Sequence, residues 1–277
     1  MAAPEGTAGT AGPPPPVSPF VPPLDCSGDD AQAMGRPPIP VLRQFVLSLF
    51  VLPAPALPAG VLVPVPGPAL CAAAAGLAGA VPVPYPLEPA RGWAPDVAAL
   101  RRAVRGARGR CRPRVLWVLN PGDPTGHVLS GALMRSLLAV AAEEELLLLA
   151  DEVHQDLAFS PECPFLPFRR VLAELGEPLA TSVQIISCYS LSKGIAGGGA
   201  RAGFLELVNV DRSVLRDFHT WGLSVYPPIL GQVMLDLAME PPGLGDPAGD
   251  AMEEVRRGDS LIPIPTLIPI LIPALTH

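Results

Sequence analysis

The chain has 277 residues and a formal net charge of −7. This length supports one large domain or two small ones with a buried core, and the acidic balance argues against nucleic acid or an anionic membrane surface as the main partner. Five scattered cysteines, without a CxxC or a Cys/His cluster, support neither a zinc site nor a disulfide framework, and they predict a reducing, cytoplasmic location.

The two ends of the chain differ in composition from the middle. Residues 1–40 are rich in Pro, Gly, Ala and Ser, which predicts a disordered N-terminal segment. Residues 243–277 end in an apolar stretch in which proline recurs, and this pattern excludes both a regular helix and a central strand. We therefore expect one domain over residues 41–242, followed by an unrelated or disordered tail.

A long run without charged residues extends from Gln44 to Leu87. Its prolines interrupt it, and the apolar pieces between them, such as Phe45–Leu52, are far shorter than the ~20 residues that a membrane-spanning helix needs. The run is therefore interpreted as buried helix and strand, with a membrane segment as the lesser alternative.

In the middle of the chain, short apolar strands alternate with amphipathic helices. The predicted strands are VLVPVP (61–66), AVPVPY (80–85), RVLWVLN (114–120), LLLLADE (146–152), SVQIISCYS (182–190) and RAGFLELVNV (201–210). The predicted helices are DVAALRRAVRGARGR (96–110), with Asp96 as N-cap, and SGALMRSLLAVAAEEE (130–145), capped near Ser130. The arginines of the first helix recur at helical spacing, which predicts a solvated helix face.

Nearly all-apolar strands that alternate with helices predict an α/β domain with a largely parallel sheet. In such sheets ligands bind at the carboxyl ends of the strands, and the polar residues of this chain fall there. They are Asn120 and Asp123 after one strand, Asp151 and His154 after the next, and Ser190, Ser192 and Lys193 after the third. Lys193 is the only lysine in the chain, and an amine, unlike a guanidinium group, can lose its proton and attack a carbonyl.

Three segments stand in a telling order: NPGDPTG (120–126), ADEVHQD (150–156) and SLSKGIAGGGARAG (190–203). This combination resembles the pyridoxal-phosphate-dependent aminotransferases of fold type I, class I/II, and the likeness is greatest to the alanine aminotransferases. It covers roughly Val61 to Pro242. The resemblance implies the large domain of that family, a mostly parallel sheet between two layers of helices. It also implies homodimers that transfer an amino group between L-alanine, or a similar L-amino acid, and 2-oxoglutarate.

The resemblance also implies a role for each matching residue. Lys193 would form the Schiff base with pyridoxal 5'-phosphate and shuttle the substrate α-proton. Arg201 would bind the cofactor phosphate, with Ser190 and Ser192 as hydroxyl partners. Asp151 would face the pyridine nitrogen and keep it protonated, which makes the ring an electron sink.

Several positions depart from the family pattern. Asp123 stands where the family carries an asparagine that donates towards the cofactor phenolate and the substrate carboxylate, so a carboxylate there faces like charge. His154 stands where the family has tyrosine, and its imidazole can still donate to the phenolate oxygen. Leu70 stands where the family has a ring that stacks on the cofactor. Asn120 is expected to contact the substrate.

Two further elements of the family pattern are not found in the sequence. No Ser/Thr-Gly-Ala phosphate loop precedes Val61, and the likeness ends near Pro242, so the small C-terminal domain that binds the substrate carboxylate is not expected. Three functions therefore stay open. The chain is an aminotransferase, a catalytically inactive truncated homologue with weak or no cofactor binding, or a protein that associates with partners or membranes through its apolar tail.

Overall fold

The structure, a computed structural model, describes residues 57–193, 202–216 and 229–239, together with residues 245 and 247. These residues belong to one compact unit that spans Pro37–His277. The predicted N-terminal segment, most of the predicted tail and Arg201 lie outside the described residues, and the predicted domain boundaries near residues 40 and 242 stay predictions.

Seven strands form one sheet in the described part of the chain. They are β1 (Ala59–Val65), β2 (Val81–Glu88), β3 (Ala94–Pro95), β4 (Arg112–Leu119), β5 (Leu147–Asp151), β6 (Ile185–Ser190) and β7 (Gly203–Val208). Their spatial order is β3-β2-β1-β4-β5-β6-β7. The five strands from β2 to β6 are parallel, and β3 and β7 join the two edges in antiparallel pairing. The prediction of a largely parallel sheet is confirmed.

The helices of the described residues include α1 (Ala69–Leu77), α2 (Val97–Ala107), α3 (Gly131–Glu143), α4 (Phe168–Leu175), α5 (Leu179–Ser182) and α6 (Ile229–Met239). The predicted caps of α2 and α3 are confirmed. The Asp96 carboxylate accepts from the backbone N–H groups of Ala98 and Ala99 at 3.1 and 3.2 Å, and the Ser130 hydroxyl accepts from Leu133 at 3.3 Å. Each cap satisfies N–H groups that have no partner within their own helix.

Both faces of the sheet are covered because its strand residues alternate between two cores. On one face, residues such as Leu62, Leu116 and Leu148 pack against α2, α3 and α4. On the other face, residues such as Val61 and Trp117 pack against α1. Each large side chain buried in this way contributes about 1.5–3 kcal/mol. The predicted three-layer α/β/α architecture is confirmed.

The arginine-bearing face of α2 is solvated, as predicted, and it contacts the end of α3. Arg101 Nη2 lies 2.6 Å from Glu143 Oε2, and Arg108 Nη2 lies 2.5 Å from Glu144 Oε2. Both arginine side chains remain at least one third exposed, so these pairs contribute about 0–1 kcal/mol each.

The register of the strands brings their carboxyl ends together. Leu119 of β4 lies opposite Asp151 of β5, and Asp151 lies opposite Cys188 of β6. Ser190 at the end of β6 pairs with Gly203, the first residue of β7. A Cβ atom at Gly203 would lie 2.3 Å from the Tyr189 carbonyl oxygen, so this close approach needs glycine. The polar residues that follow β4, β5 and β6 therefore share one edge of the sheet.

Candidate active site

Asp151 is a buried carboxylate at the end of β5, with 3% of its surface exposed. Its Oδ2 atom accepts a hydrogen bond from the indole Nε1–H of Trp117, at 3.1 Å. Its backbone carbonyl accepts from the N–H of Asn120 at 3.1 Å. A buried carboxylate is costly unless donors compensate it, and Trp117 supplies one from the neighbouring strand. The orientation of the carboxylate is therefore fixed by the core of the sheet.

Glu152, the next residue, is 2% exposed. Its Oε1 atom accepts from the backbone N–H of Phe168 at 2.8 Å, and its Oε2 atom accepts from the Ser187 hydroxyl. Burial raises the pKa of the Glu152 carboxyl, while these two hydrogen bonds act against the rise. Phe168 begins α4, so Glu152 satisfies a helix N-terminus and holds the backbone that follows Asp151.

Lys193 ends a short 3₁₀ turn, Leu191–Lys193, that directly follows β6. The turn is tied to the approach to β7, because the N–H of Leu191 donates to the Ala202 carbonyl at 3.0 Å. Ser192 is 9% exposed and Lys193 is half-buried. The amine-bearing turn thus extends from the strand that neighbours Asp151. The following residues 194–201, which include Arg201, lie outside the described part of the chain.

Asp123 and His154 form a pair at the rim of the same edge. His154 Nε2 lies 3.7 Å from Asp123 Oδ2, and the two side chains are 15% and 41% exposed. These are two of the residues that depart from the family pattern, and the fold places one beside the other. A protonated imidazole would offset the carboxylate charge, although a partly exposed pair at this distance is weak. Leu70, a third departure, is half-buried in the first turn of α1.

Tyr189 holds the segment after His154 in place from the side of β6. Its hydroxyl donates to Asp156 Oδ2 at 3.0 Å, and its ring stacks on Phe204 of β7 with centroids 5.0 Å apart. Burial, followed by the negative charge of Asp156, raises the pKa of Tyr189 to about 12. The phenol therefore stays a donor across the physiological range, and the turn Gln155–Leu157 keeps its place against β6.

Asn120 is completely buried. Its side-chain oxygen accepts from the N–H of Leu129 at 2.9 Å, and its amide nitrogen points to the Leu166 carbonyl at 3.5 Å. These bonds hold the loop that carries Asp123 against the end of β4. The contact with substrate that the sequence suggested for Asn120 stays a prediction, and the geometry favours a role in fixing this loop.

The loop after Asn120 is closed by its own contacts. The N–H of Gly122 donates to the His127 carbonyl at 2.8 Å, and Thr125 Oγ1 lies 2.6 Å from His127 Nδ1. A Cβ atom at Gly122 would lie 2.2 Å from the imidazole, so glycine is required for this packing. Burial lowers the pKa of His127, which favours its neutral form. The rim residue Asp123 therefore extends from a compact loop.

Residues 49–257 match the family model described as aminotransferase class I and II. The chain belongs to this family. It is 44% identical over 200 residues to alanine aminotransferase 1 of Bos taurus, and the aligned stretch covers 72% of this chain and 40% of that protein. It is 36% identical over 202 residues to glutamate–glyoxylate aminotransferase 1 of Arabidopsis thaliana, and this alignment covers 72% of this chain and 42% of that protein. The chain thus spans about two fifths of the length of these relatives.

Solved structures show the same fold. Alanine aminotransferase from Pyrococcus furiosus aligns with a TM-score of 0.61 at 21% identity, over 78% of this chain and 50% of that one. Aspartate aminotransferase from Thermus thermophilus with maleate aligns with a TM-score of 0.60 at 22% identity, over 78% and 51%. Identities this low support the fold alone.

The predicted family and fold class are confirmed, and the enzymes of this family are transferases that use pyridoxal 5'-phosphate, as expected. Over the residues that the structure describes, no helix combines the length and the apolar character that crossing a membrane requires.

Sequence reasoning missed Trp117 and Glu152. The signal for Trp117 was weak but present, since it is a lone aromatic residue with a polar edge inside an aliphatic strand. The signal for Glu152 was hidden, because its partners Phe168 and Ser187 lie 16 and 35 residues away in the chain.

Proposed function

We propose that the chain binds pyridoxal 5'-phosphate at the carboxyl edge of β4, β5 and β6, and that it transfers an amino group between L-alanine, or a similar L-amino acid, and 2-oxoglutarate. The observation that carries the proposal is one juxtaposition. A buried, oriented carboxylate, Asp151, ends one parallel strand, and the only lysine of the chain, Lys193, follows the end of the next. The identity with alanine aminotransferases supports the choice of substrates.

The side chains gathered at this edge fit the cofactor. The amine of Lys193 would attach it covalently and then hold or release a proton beside the substrate. Asp151 would keep the ring nitrogen protonated, and Ser190 and Ser192 would bind the phosphate. The sequence adds Arg201, which lies outside the described residues, as a third group for the phosphate. The cofactor, when bound, supplies an electron sink that allows the Cα–H bond of an amino acid to break.

The pair of Asp123 and His154 would face the phenolate oxygen. A lone carboxylate at position 123 would repel an anionic oxygen, whereas the imidazole of His154, whose Nε2 atom lies 3.7 Å from Asp123 Oδ2, offers a donor. We propose that a ring N–H of His154 donates to the phenolate oxygen. The two departures from the family pattern then lie at the same oxygen.

Assembly as a homodimer and a cytoplasmic location belong to the same proposal. The first is supported by the resemblance to the family, and the second by the scattered cysteines of the sequence. A second candidate is a homologue without turnover, and the carboxylate at Asp123, which replaces a neutral donor, favours it. The two candidates differ in whether the site, once loaded, releases product.

Cofactor binding is tested by chemical trapping. The chain is mixed with pyridoxal 5'-phosphate, reduced with borohydride, digested and analysed by mass spectrometry. Lys193 is the only lysine of the sequence, so the terminal α-amino group of the protein under test serves as an internal control for non-specific labelling. We expect stoichiometric labelling of Lys193 that resists competing free amine. Labelling of Lys193 no faster than of the α-amino group would overturn cofactor binding at this site.

Turnover is tested separately with L-alanine and 2-oxoglutarate, by measuring pyruvate and glutamate. We expect the parent chain to form both products and Lys193→Ala to form neither. Product formation that survives Lys193→Ala would overturn the role of this amine. Specific labelling without product would support the homologue without turnover.

A further inference from the structure

We propose that Trp117 is a positioning residue for the cofactor, because its indole N–H holds the Asp151 carboxylate in the orientation that serves the cofactor ring nitrogen. This inference rests on the proposed function, since it assigns a role in the same site. Trp117 itself is placed in contact with Asp151, not with substrate.

The placement of Trp117 follows from strand register. Trp117 lies opposite Leu149 and Leu119 lies opposite Asp151, so Trp117 and Asp151 occupy diagonal positions on neighbouring parallel strands. Side chains two residues apart along a strand share one face. Trp117 and Asp151 therefore extend from the face of the sheet that α1 covers, and the indole reaches the carboxylate at 3.1 Å.

The chemistry of the pair allows only one arrangement. An indole N–H donates and never accepts, and an ionised carboxylate accepts and never donates. A histidine or a hydroxyl in the same place could reverse its role or change its charge with pH, whereas indole does neither. Trp117 therefore presents the same donor to Asp151 at every pH at which the chain is folded.

Burial makes this bond a constraint on orientation. Trp117 is 1% exposed and Asp151 is 3% exposed, so water has little access to either group. The backbone of Trp117 is also fixed from the opposite face of the sheet, where the hydroxyl of the buried Tyr85 donates to its carbonyl at 2.8 Å. The carboxylate is thus held by a side chain whose own position is set by the core.

A purely structural role for Trp117 makes a different prediction. If the indole only fills the core, its replacement lowers the affinity for every cofactor ring by the same factor. If the indole orients Asp151 towards the nitrogen of the cofactor ring, the loss of affinity depends on whether the cofactor carries that nitrogen. A cofactor analogue in which the ring nitrogen is replaced by carbon, 1-deaza-pyridoxal 5'-phosphate, separates the two.

The experiment replaces Trp117 by β-(3-benzothienyl)alanine, which nearly keeps the shape of indole but has sulfur in place of the N–H. Trp117→Phe provides a second variant. The dissociation constants of pyridoxal 5'-phosphate and of the deaza analogue are measured by absorbance titration of the full-length chain. We expect both variants to bind the natural cofactor roughly tenfold more weakly than the parent, because a buried hydrogen bond to a charged group is lost. We expect the benzothienyl variant to bind the analogue as the parent does.

Tyr85→Phe is the matched control, because it removes a buried hydrogen bond to the same residue without touching the Asp151 carboxylate. We expect it to bind both cofactors as the parent does. An equal loss of both cofactors in the benzothienyl variant, or no loss of either, would overturn the positioning role alone. A parent chain that does not take up pyridoxal 5'-phosphate on Lys193 would overturn the proposed function and this inference together.

Discussion

The buried end of β5 and the rim pair of Asp123 and His154 are built differently. At the end of β5, two consecutive carboxylates are buried and each has donors from neighbouring strands or from α4. At the rim, one imidazole and one carboxylate meet at 3.7 Å and both reach solvent. The side of the site assigned to the ring nitrogen is therefore fixed by the core, while the side assigned to the phenolate is set by side chains that can change at low cost.

This difference explains where the chain departs from its family. A change at Asp151 or Glu152 would leave buried donors without partners, and such a loss costs about 1–3 kcal/mol for each group. A change at Asp123 or His154 leaves its groups in contact with water, which replaces lost hydrogen bonds. The departures from the family pattern at these rim positions fall where substitution costs folding least.

Asp151→Asn is expected to have the largest effect among the substitutions that test the contrast between the buried end of β5 and the rim pair. We expect turnover to fall roughly 10²–10³-fold, because an amide does not keep the ring nitrogen protonated. The measurement is kcat/KM for L-alanine and 2-oxoglutarate, with thermal unfolding as a check on folding. Asp156→Asn, a change of the same chemistry on the neighbouring turn, should lose far less. Similar losses in the two variants would contradict the role of Asp151.

Glu152→Ala tests whether the buried end of β5 also carries stability. The substitution leaves the Phe168 N–H and the Ser187 hydroxyl without their acceptor and opens a cavity. We expect the free energy of unfolding to fall by about 3 kcal/mol. Urea denaturation of the parent, of Glu152→Ala and of Glu162→Ala, a change at an exposed glutamate, gives the comparison. A loss no larger than that of the exposed control would show that Glu152 does not anchor this region.

Asp123→Asn tests the rim pair by its effect on cofactor binding. It removes a negative charge close to the phenolate and restores a neutral donor, so we expect cofactor to bind up to about tenfold more tightly, worth roughly 1.4 kcal/mol. The dissociation constant is measured by absorbance titration. Unchanged affinity would indicate that Asp123 does not face the cofactor.

A double-mutant cycle on the rim gives the control for that result. His154→Tyr alone should weaken binding, because it leaves the Asp123 charge without its partner. The double variant His154→Tyr/Asp123→Asn should bind the cofactor more tightly than the parent does. Additive effects of the two substitutions would mean that the pair does not act as a unit.

The smallest expected effect is a pH trend at Glu152. Because its pKa is raised in the folded chain, the folded state binds a proton more readily than the unfolded state does. The free energy of unfolding contributed by this group therefore decreases as pH rises from the unfolded pKa of the carboxyl through the raised folded one. Glu152→Gln cannot titrate, so its stability relative to the parent should increase over the same range. Urea denaturation at several pH values checks the sign, and a relative decrease would contradict it.

Elements with strong local patterns were predictable from the sequence. The capping residues Asp96 and Ser130 predicted the starts of α2 and α3. Alternating polar and apolar residues, or short apolar runs, predicted the main strands. A buried helix was expected within the uncharged run, but the bounds of α1 were not predicted, because Ala69–Leu77 is apolar on every side and shows no helical period. β3 was missed because two residues, Ala94–Pro95, carry no pattern. Local signals predict elements where polar and apolar residues alternate, where a capping residue marks a helix start, or where a short apolar run ends at polar residues.

The candidate site was predictable in its outline but not in its supports. Strand ends and motif spacing located Asp151 and Lys193 on one edge of the sheet. The bond from Trp117 to Asp151 depends on the register of β4 against β5, which spacing along the chain does not determine. The role of Asn120 depends in the same way on Leu129 and Leu166, which approach it only in the folded chain.

The order of the strands has a consequence for how the chain matures during synthesis. From β5 to β7, each strand lies beside the one made immediately before it, so this side of the sheet grows outwards from β4 as the chain leaves the ribosome. Asp123 arrives with β4 and Asp151 with β5, and Lys193 follows β6. Because domains form as synthesis proceeds, the polypeptide commits to its architecture before its reactive amine is delivered. On the proposed function, the vitamin-derived group therefore meets a sheet in which β1 to β6 have already been made.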